Sequence, residues 1–249
     1  MAFGVVEGEA GGGFDKLIVA EVAEHPFGPI EFTGRRWALP DVRLLSPILP
    51  TKVVGIGQNY SDHAAEMGGA APQAPVVFLK PSTAVIGPGD TIRLPPDSTR
   101  VDHEAELAVV IGGVVRDISR DRALAAVLGY TCANDVTARD QQASDGQWTR
   151  AKSHDSFCPL GPWIETDLEP GDVGVRAEVD GVVKQDSRTS LLVHDVSTLI
   201  SYVSHVMTLL PGDVILTGTP AGVGPMSEGS TVSVTVEGIG TLTNPVASR

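Results

Sequence analysis

Apolar positions along this chain recur mostly in short runs closed by glycine or proline, the signature of strands joined by turns. Residues 3–7 and 17–22 predict two strands around the Gly-rich turn 8–13. The segment 40–50 carries three prolines and predicts a linker. Residues 53–57, 76–79 and 105–111 predict apolar strands, and 214–217, 231–236 and 241–242 predict late strands between glycine turns. Helical spacing is rarer. Residues 62–67 predict a short helix stopped by Gly68-Gly69, and 120–128 an amphipathic helix. Residues 197–209 predict another, with Leu199, Ile200, Val203, Val206 and Met207 along one stripe. The chain opens directly on a strand, which leaves room for a preceding one. Together these elements predict a small β-rich N-terminal part, residues 1–48, and a larger second part, residues 49–249.

Composition narrows the classes of function. The 249 residues are 42% hydrophobic, enough for a sizeable core, and no apolar run reaches membrane-helix length. The opening Met1–Glu7 stretch has neither a basic segment nor an apolar one, so no export signal is expected and a cytoplasmic location is. A formal net charge of −13 with no basic stretch argues against nucleic-acid or membrane partners. It also means that an anionic substrate needs cations concentrated at its site. Cys132 and Cys158 stand in no metal-binding pattern and predict two reduced core residues.

Five segments carry chemistry-bearing side chains. In Asp102-His103-Glu104-Ala105-Glu106, the two glutamates stand two apart at the start of an apolar strand, so they share one face. A hard divalent cation would relieve their repulsion; a solvated strand end is the plain alternative. The run Asn134-Asp135-Val136-Thr137-Ala138-Arg139-Asp140-Gln141-Gln142 mixes carboxylates, an arginine and amides, and on its own also reads as a capped helix start. In Trp148-Thr149-Arg150-Ala151-Lys152-Ser153-His154, Lys152 offers a point charge for a carboxylate or oxyanion, or is a surface lysine. In Asn59-Tyr60-Ser61-Asp62-His63-Ala64-Ala65-Glu66, a helix would put His63 and Glu66 on one face, where the carboxylate makes the imidazole a better base. Finally, Gly218-Thr219-Pro220-Ala221-Gly222-Val223-Gly224 matches neither the P-loop nor the dinucleotide fingerprint, leaving a bare turn or a backbone and hydroxyl cradle around Thr219.

As an ordered set, these five segments resemble the fumarylacetoacetate hydrolase (FAH) family, specifically its catalytic domain. The resemblance runs from about Lys52 to Val246, roughly four-fifths of the chain. It implies an α+β fold, an FAH-type rolled mixed β-sheet with a small β-rich N-terminal part, and makes residues 49–249 the catalytic domain. It also implies a divalent cofactor, Mg²⁺ or Mn²⁺, held by Glu104, Glu106 and Asp135. His63 and Glu66 match the dyad of the family's mobile lid, in the same motif as Asn59 and Tyr60. Tyr60, Arg139, Gln142, Lys152 and Thr219 match substrate-contacting positions, with Lys152 grouped with the dyad as catalytic. Gln58, Ala105 and His154 depart from the residues frequent in the family without removing a ligand.

The activity so implied is that of an enzyme on small 2-oxo acids that stabilises an enolate. One form is C–C bond hydrolysis of acylpyruvate or fumarylpyruvate-type substrates, or oxaloacetate-type decarboxylation. A second is the isomerase and decarboxylase of aromatic catabolism, acting on 2-hydroxyhepta-2,4-diene-1,7-dioate and 5-carboxymethyl-2-oxo-hex-3-ene-1,7-dioate. A non-catalytic, metal-stabilised binding protein is the reading from another class. A homodimer is expected from the family.

Overall fold

The structure, a computed structural model, describes residues 1–8, 14–66 and 68–249. Most of the predicted turn 8–13 and the last residue of the predicted helix 62–67 lie outside the described residues. The chain divides into two compact units, Met1–Leu44 and Leu45–Arg249. The first holds an antiparallel sheet of Phe3–Glu7, Ile18–Val22 and Phe32–Ala38 in sequence order. Its third strand was not predicted, because Phe-Thr-Gly-Arg-Arg-Trp-Ala has no clean alternation.

The second unit is α+β with few helices and mixed sheets. Among the described residues its main sheet has seven strands. In spatial order they are Val76–Lys80, Val53–Gly57, Val214–Leu216, Ala105–Ile111, Val127–Asn134, Cys158–Glu165 and Val85–Ile86. Val214–Leu216 runs parallel to Val53–Gly57 and antiparallel to Ala105–Ile111. The central strand Ala105–Ile111 is buried along its whole length, which explains its unbroken apolar run after Glu106. A five-stranded sheet, Val182–Arg188, Gly174–Val179, Thr231–Val236, Gly240–Ser248 and Ile92–Leu94, lies in the same unit. Its Val175, Ala177, Val234, Val236 and Leu242 share one core with Leu107, Val109 and Ile111. The helix Val196–Val206 adds Leu199, Ile200 and Val203 to that core, and Asp195 caps it by accepting the Thr198 amide at 2.8 Å.

Elements of this unit differ from their sequence reading, among them the strands Gly174–Val179 and Val182–Arg188, which the sequence pattern does not predict. Residues 120–128, expected as an amphipathic α-helix, form the 3-10 segment Arg120–Ala126 and then enter a strand at Val127. The buried pair Ala123 and Ala126 is three residues apart, the 3-10 repeat, and Val127 pairs with Ile111 in the sheet ladder. Strand pairing by a β-branched residue outweighs helical spacing here. The strand Cys158–Glu165 was not predicted, since Pro159 and Pro162 break its pattern. No helix among the described residues is long and apolar enough to cross a membrane.

Candidate active site

Three segments of the central sheet bring the acidic residues together. Glu104 sits in the one-residue break between the strands Val101–His103 and Ala105–Ile111, and its amide donates to Asn134 Oδ1 at 2.9 Å. Glu106 follows on the strand, opposite Ala133 of the neighbouring strand. That neighbour ends at Asn134, so Asp135 emerges beside the glutamates, its amide bonded to the Glu104 carbonyl at 2.9 Å. One carboxylate oxygen from each of Glu104, Glu106 and Asp135 lies within 4.8 Å of the others, and all three residues are buried.

Charge compensation at this cluster is uneven. Lys152 Nζ donates to Glu104 Oε2 at 2.8 Å and to Asp135 Oδ2 at 2.6 Å. Lys80 Nζ donates to Asp135 Oδ1 at 2.5 Å and to the Val136 carbonyl at 3.2 Å. Arg139 bridges Asp102 Oδ2 at 3.0 Å and Glu104 Oε1 at 2.6 Å. Burial pushes the Glu104 carboxyl up, but Lys152 and Arg139 outweigh it and hold the group well below the usual carboxylate range. Glu106 has the opposite fate. Burial, then Asp135 and Glu104, push its carboxyl well above the usual range, against which Lys152 and the Gly218 amide at 2.6 Å act weakly. Burial lowers the Lys152 pKa, but Asp135 and Glu104 overcome that and keep it raised, so the lysine is a cation at neutral pH.

A divalent metal fits this set. The donors are three convergent carboxylates, the chemistry that Mg²⁺ and Mn²⁺ take. One of them, Glu106, is driven towards protonation because burial and the neighbouring Asp135 and Glu104 outweigh the help it receives from Lys152 and the Gly218 amide. A cation between the three oxygens would remove that cost.

The carboxylates open on a cavity of about 270 Å³. Its wall also includes His63, Arg139, Gln142, Lys152 and Thr219, so the structure brings most of the sequence-predicted residues to one place. Two of them stand back from the wall. Tyr60 is 1% exposed and pairs through its backbone with Leu192. Burial, with Glu106 and Asp62 adding to it, raises its phenol pKa. Glu66 lies behind His63, with His63 Nδ1 and Glu66 Oε2 at 3.2 Å on the helix Ser61–Glu66. The Gly222 amide holds the same carboxylate at 3.2 Å, tying that helix to the glycine-rich loop. Asn59, just before the helix, spans the Thr217 and His194 carbonyls and accepts the His194 amide.

Several residues of the site carried no role in the sequence reading. Lys80 closes the run Val76–Lys80 two residues after Phe78, which places both on one strand face; a lysine ending an apolar strand face was the available signal. Asp102 is fully buried and holds both Arg100 and Arg139. Gln185 had no signal at all. Its side chain meets His103 Nδ1 at 3.1 Å, the Ala105 amide at 2.9 Å, Thr219 Oγ1 at 2.7 Å and the Pro220 carbonyl at 2.8 Å. It thus joins the E-x-E strand to the Gly-Thr-Pro turn, and Thr219 Oγ1 completes the join by donating to the Ala105 carbonyl at 2.9 Å. Gln185→Ala strands several buried polar groups and is expected to cost on the order of 3 kcal/mol in stability. Chemical denaturation tests this, and a loss under about 0.5 kcal/mol would show the network to be energetically idle.

Residues 52–247 match the family described as fumarylacetoacetate (FAA) hydrolase C-terminal, and residues 1–47 match one described as Rv2993c-like, N-terminal. A crystal structure of 2-hydroxyhepta-2,4-diene-1,7-dioate isomerase from Mycobacterium marinum superposes with a TM-score of 0.93 at 57% identity, covering 100% of this chain and 94% of that one. The mitochondrial oxaloacetate tautomerase fahd2 of Xenopus laevis is 41% identical over 83% of this chain and 69% of its own length. A maleylpyruvate hydrolase from Sphingobium sp. SYK-6, in complex with manganese(II) ion and pyruvate, is 35% identical with a TM-score of 0.76 over 86% of this chain and 77% of that one.

Proposed function

This chain belongs to the FAA hydrolase family, and on that premise we propose that it is a divalent-metal-dependent enzyme acting on a small 2-oxo acid, with Glu104, Glu106 and Asp135 as the metal ligands. The observation that carries this reading is the buried carboxylate triad opening on a cavity that His63, Lys152, Arg139, Gln142 and Thr219 also line. Mg²⁺ or Mn²⁺ held there would supply Lewis-acid chemistry for a substrate's carboxylate and 2-oxo groups. The maleylpyruvate hydrolase with manganese(II) and pyruvate supports both parts of the assignment.

The chain's own residues do the rest. Lys152 is 2% exposed and fixed by two carboxylates, so it presents an oriented positive charge without paying to order a flexible side chain. Arg139 and Gln142, one turn apart on the helix Arg139–Ser144 and bonded to each other at 2.5 Å, offer donors to the far end of the substrate. Thr219 fixes the near wall. Glu66 accepts from His63 Nδ1, which leaves Nε2 free to take a proton from water. Water so activated attacks the distal carbonyl of an acylpyruvate, and the bond between that carbonyl and the pyruvate unit breaks. The acyl part leaves as a carboxylate, and the bonding pair leaves with the pyruvate unit as its enolate, which regains the proton held by His63 to give pyruvate. Isomerisation is the second reading, favoured by the 57% identity to the M. marinum isomerase. It asks of His63 only that it move a proton between carbons of the same substrate.

Turnover of acetylpyruvate, fumarylpyruvate and oxaloacetate, with Mg²⁺ or Mn²⁺ against EDTA, tests the proposal. Metal-dependent turnover of at least one is expected. In His63→Ala, hydrolysis should fall by about 10²-fold or more, the usual contribution of a general base, while metal affinity measured by calorimetry stays the same. Full activity in EDTA, or none on any 2-oxo acid, would overturn the assignment.

A further inference from the structure

The strand Val53–Gly57 carries glycine at positions 55 and 57, which by strand alternation face the same side. Aromatic rings cover both. Phe78 pairs with Gly55 across the sheet, and a Cβ at Gly55 would overlap its ring, with Cε1 at 2.8 Å. Trp148 lies over Gly57, where a Cβ would meet Cζ3 at 2.5 Å and Cη2 at 2.8 Å. The two rings meet edge to face, with centroids 5.5 Å apart and planes at 66°. Gly57, Phe78 and Trp148 all line the cavity that holds the carboxylates. Trp148 also precedes the short helix Thr149–Lys152 and accepts the Lys152 amide at 3.0 Å, while Lys152 Nζ sits 4.9 Å from the Phe78 ring centre. One turn of chain therefore carries both the buried cation and the edge of the aromatic wall.

Resting on the function proposed above, we infer that Trp148, seated on Gly57, is the specificity-determining residue of this cavity. With Phe78, whose ring it meets edge to face, it forms an angled aromatic wall on one side of the cavity. The wall admits small or planar groups carried beyond the 2-oxo acid and excludes branched ones. Glycine at 57 is required because a Cβ there would drive the indole into the cavity, and glycine at 55 sets the depth of the phenyl ring in the same way.

The test uses the Mg²⁺-loaded protein and three acylpyruvates with acetyl, benzoyl and pivaloyl tails. Gly57→Ala should lower kcat/KM for benzoylpyruvate relative to acetylpyruvate by about ten-fold or more, the discrimination that a single pocket contact supplies. Adding Trp148→Phe to Gly57→Ala should restore the ratio, since the smaller ring leaves room for the Cβ. Trp148→Ala, which does not depend on tolerance at Gly57, should raise the relative kcat/KM for pivaloylpyruvate by about ten-fold or more. An unchanged ratio in Gly57→Ala, a loss that Trp148→Phe does not reverse, or no gain for pivaloylpyruvate in Trp148→Ala would overturn the wall. If the unmodified protein turns over none of the three acylpyruvates, the hydrolytic reading for acylpyruvates falls, and inactivity on every 2-oxo acid removes the functional reading as a whole. The wall is then judged by equilibrium binding of the same three compounds, with the same ordering expected. Equal affinities across the variants would overturn it, and no binding of any compound would overturn both.

Discussion

Replacing Glu106 by Gln is expected to abolish metal-dependent turnover while making the metal-free protein more stable at neutral and alkaline pH. The two effects have one cause. Glu106 is 1% exposed, and burial together with Asp135 and Glu104 holds its carboxyl well above the usual value of 4.5. A carboxyl whose folded pKa is raised binds its proton more tightly in the folded state than in the unfolded one. Its effect on stability therefore becomes unfavourable as pH rises above the unfolded value, and the cost is complete once pH exceeds the folded one. Glutamine carries no such charge and still accepts the Gly218 amide through its side-chain oxygen. In EDTA at pH 8 the Glu106→Gln protein should melt several degrees above the unsubstituted one, consistent with relief of a buried charge by about 1–3 kcal/mol. The two melting curves should converge as pH approaches the usual carboxylate range. With saturating Mg²⁺ the order should reverse, because the unsubstituted protein gains binding energy that the variant lacks. A variant that keeps full turnover, or that is less stable in EDTA at pH 8, would remove Glu106 from the proposed ligand set.

The second large effect is expected at Lys152. Its Nζ is shared between Glu104 and Asp135. Burial lowers its pKa, and the two carboxylates raise it further than burial lowers it. For a cation with a raised folded pKa, the stabilisation is fully present below the unfolded value and disappears only as pH rises through the folded one. It is therefore complete at neutral pH. Lys152→Met keeps the chain's length and packing against Phe78 but leaves two buried carboxylates short of a counter-charge. A loss of about 3–5 kcal/mol in EDTA is expected, the cost of removing one partner of a buried ion pair. Mg²⁺ should recover part of it, so the metal-induced rise in melting temperature should be larger in the variant than in the unsubstituted protein. Turnover should fall by about 10²-fold or more, as for a lost charge-assisted contact in the transition state. Unchanged stability and unchanged kcat/KM would return Lys152 to the role of an ordinary lysine, which its 2% exposure argues against.

What the chain alone determined was local chemistry and local period. The E-x-E spacing puts Glu104 and Glu106 on one side of a strand in any fold that keeps it extended. His63 and Glu66 meet because three residues on a helix bring side chains together. The buried strand Ala105–Ile111 and the helix Val196–Val206 were visible because their periods of burial are short-range properties. The α+β class followed from the resemblance that the ordered motifs carry, and the FAA hydrolase match over residues 52–247 agrees with it.

Tertiary structure decided the rest, and the reason is separation along the chain. Lys80 meets Asp135 across 55 residues, and Gln185 meets Ala105 across 80. No window of sequence holds both partners, so neither pairing has a periodic trace. The same holds for charge. Whether a carboxyl ends up low, as Glu104, or high, as Glu106, depends on which remote cations reach it, and two glutamates two residues apart look alike until the fold places Lys152 and Arg139 nearer to one of them. The segment Arg120–Ala126 illustrates the limit for secondary structure as well: its helical pattern yielded to a strand at Val127 because Ile111, brought alongside only by the sheet, offers a ladder partner.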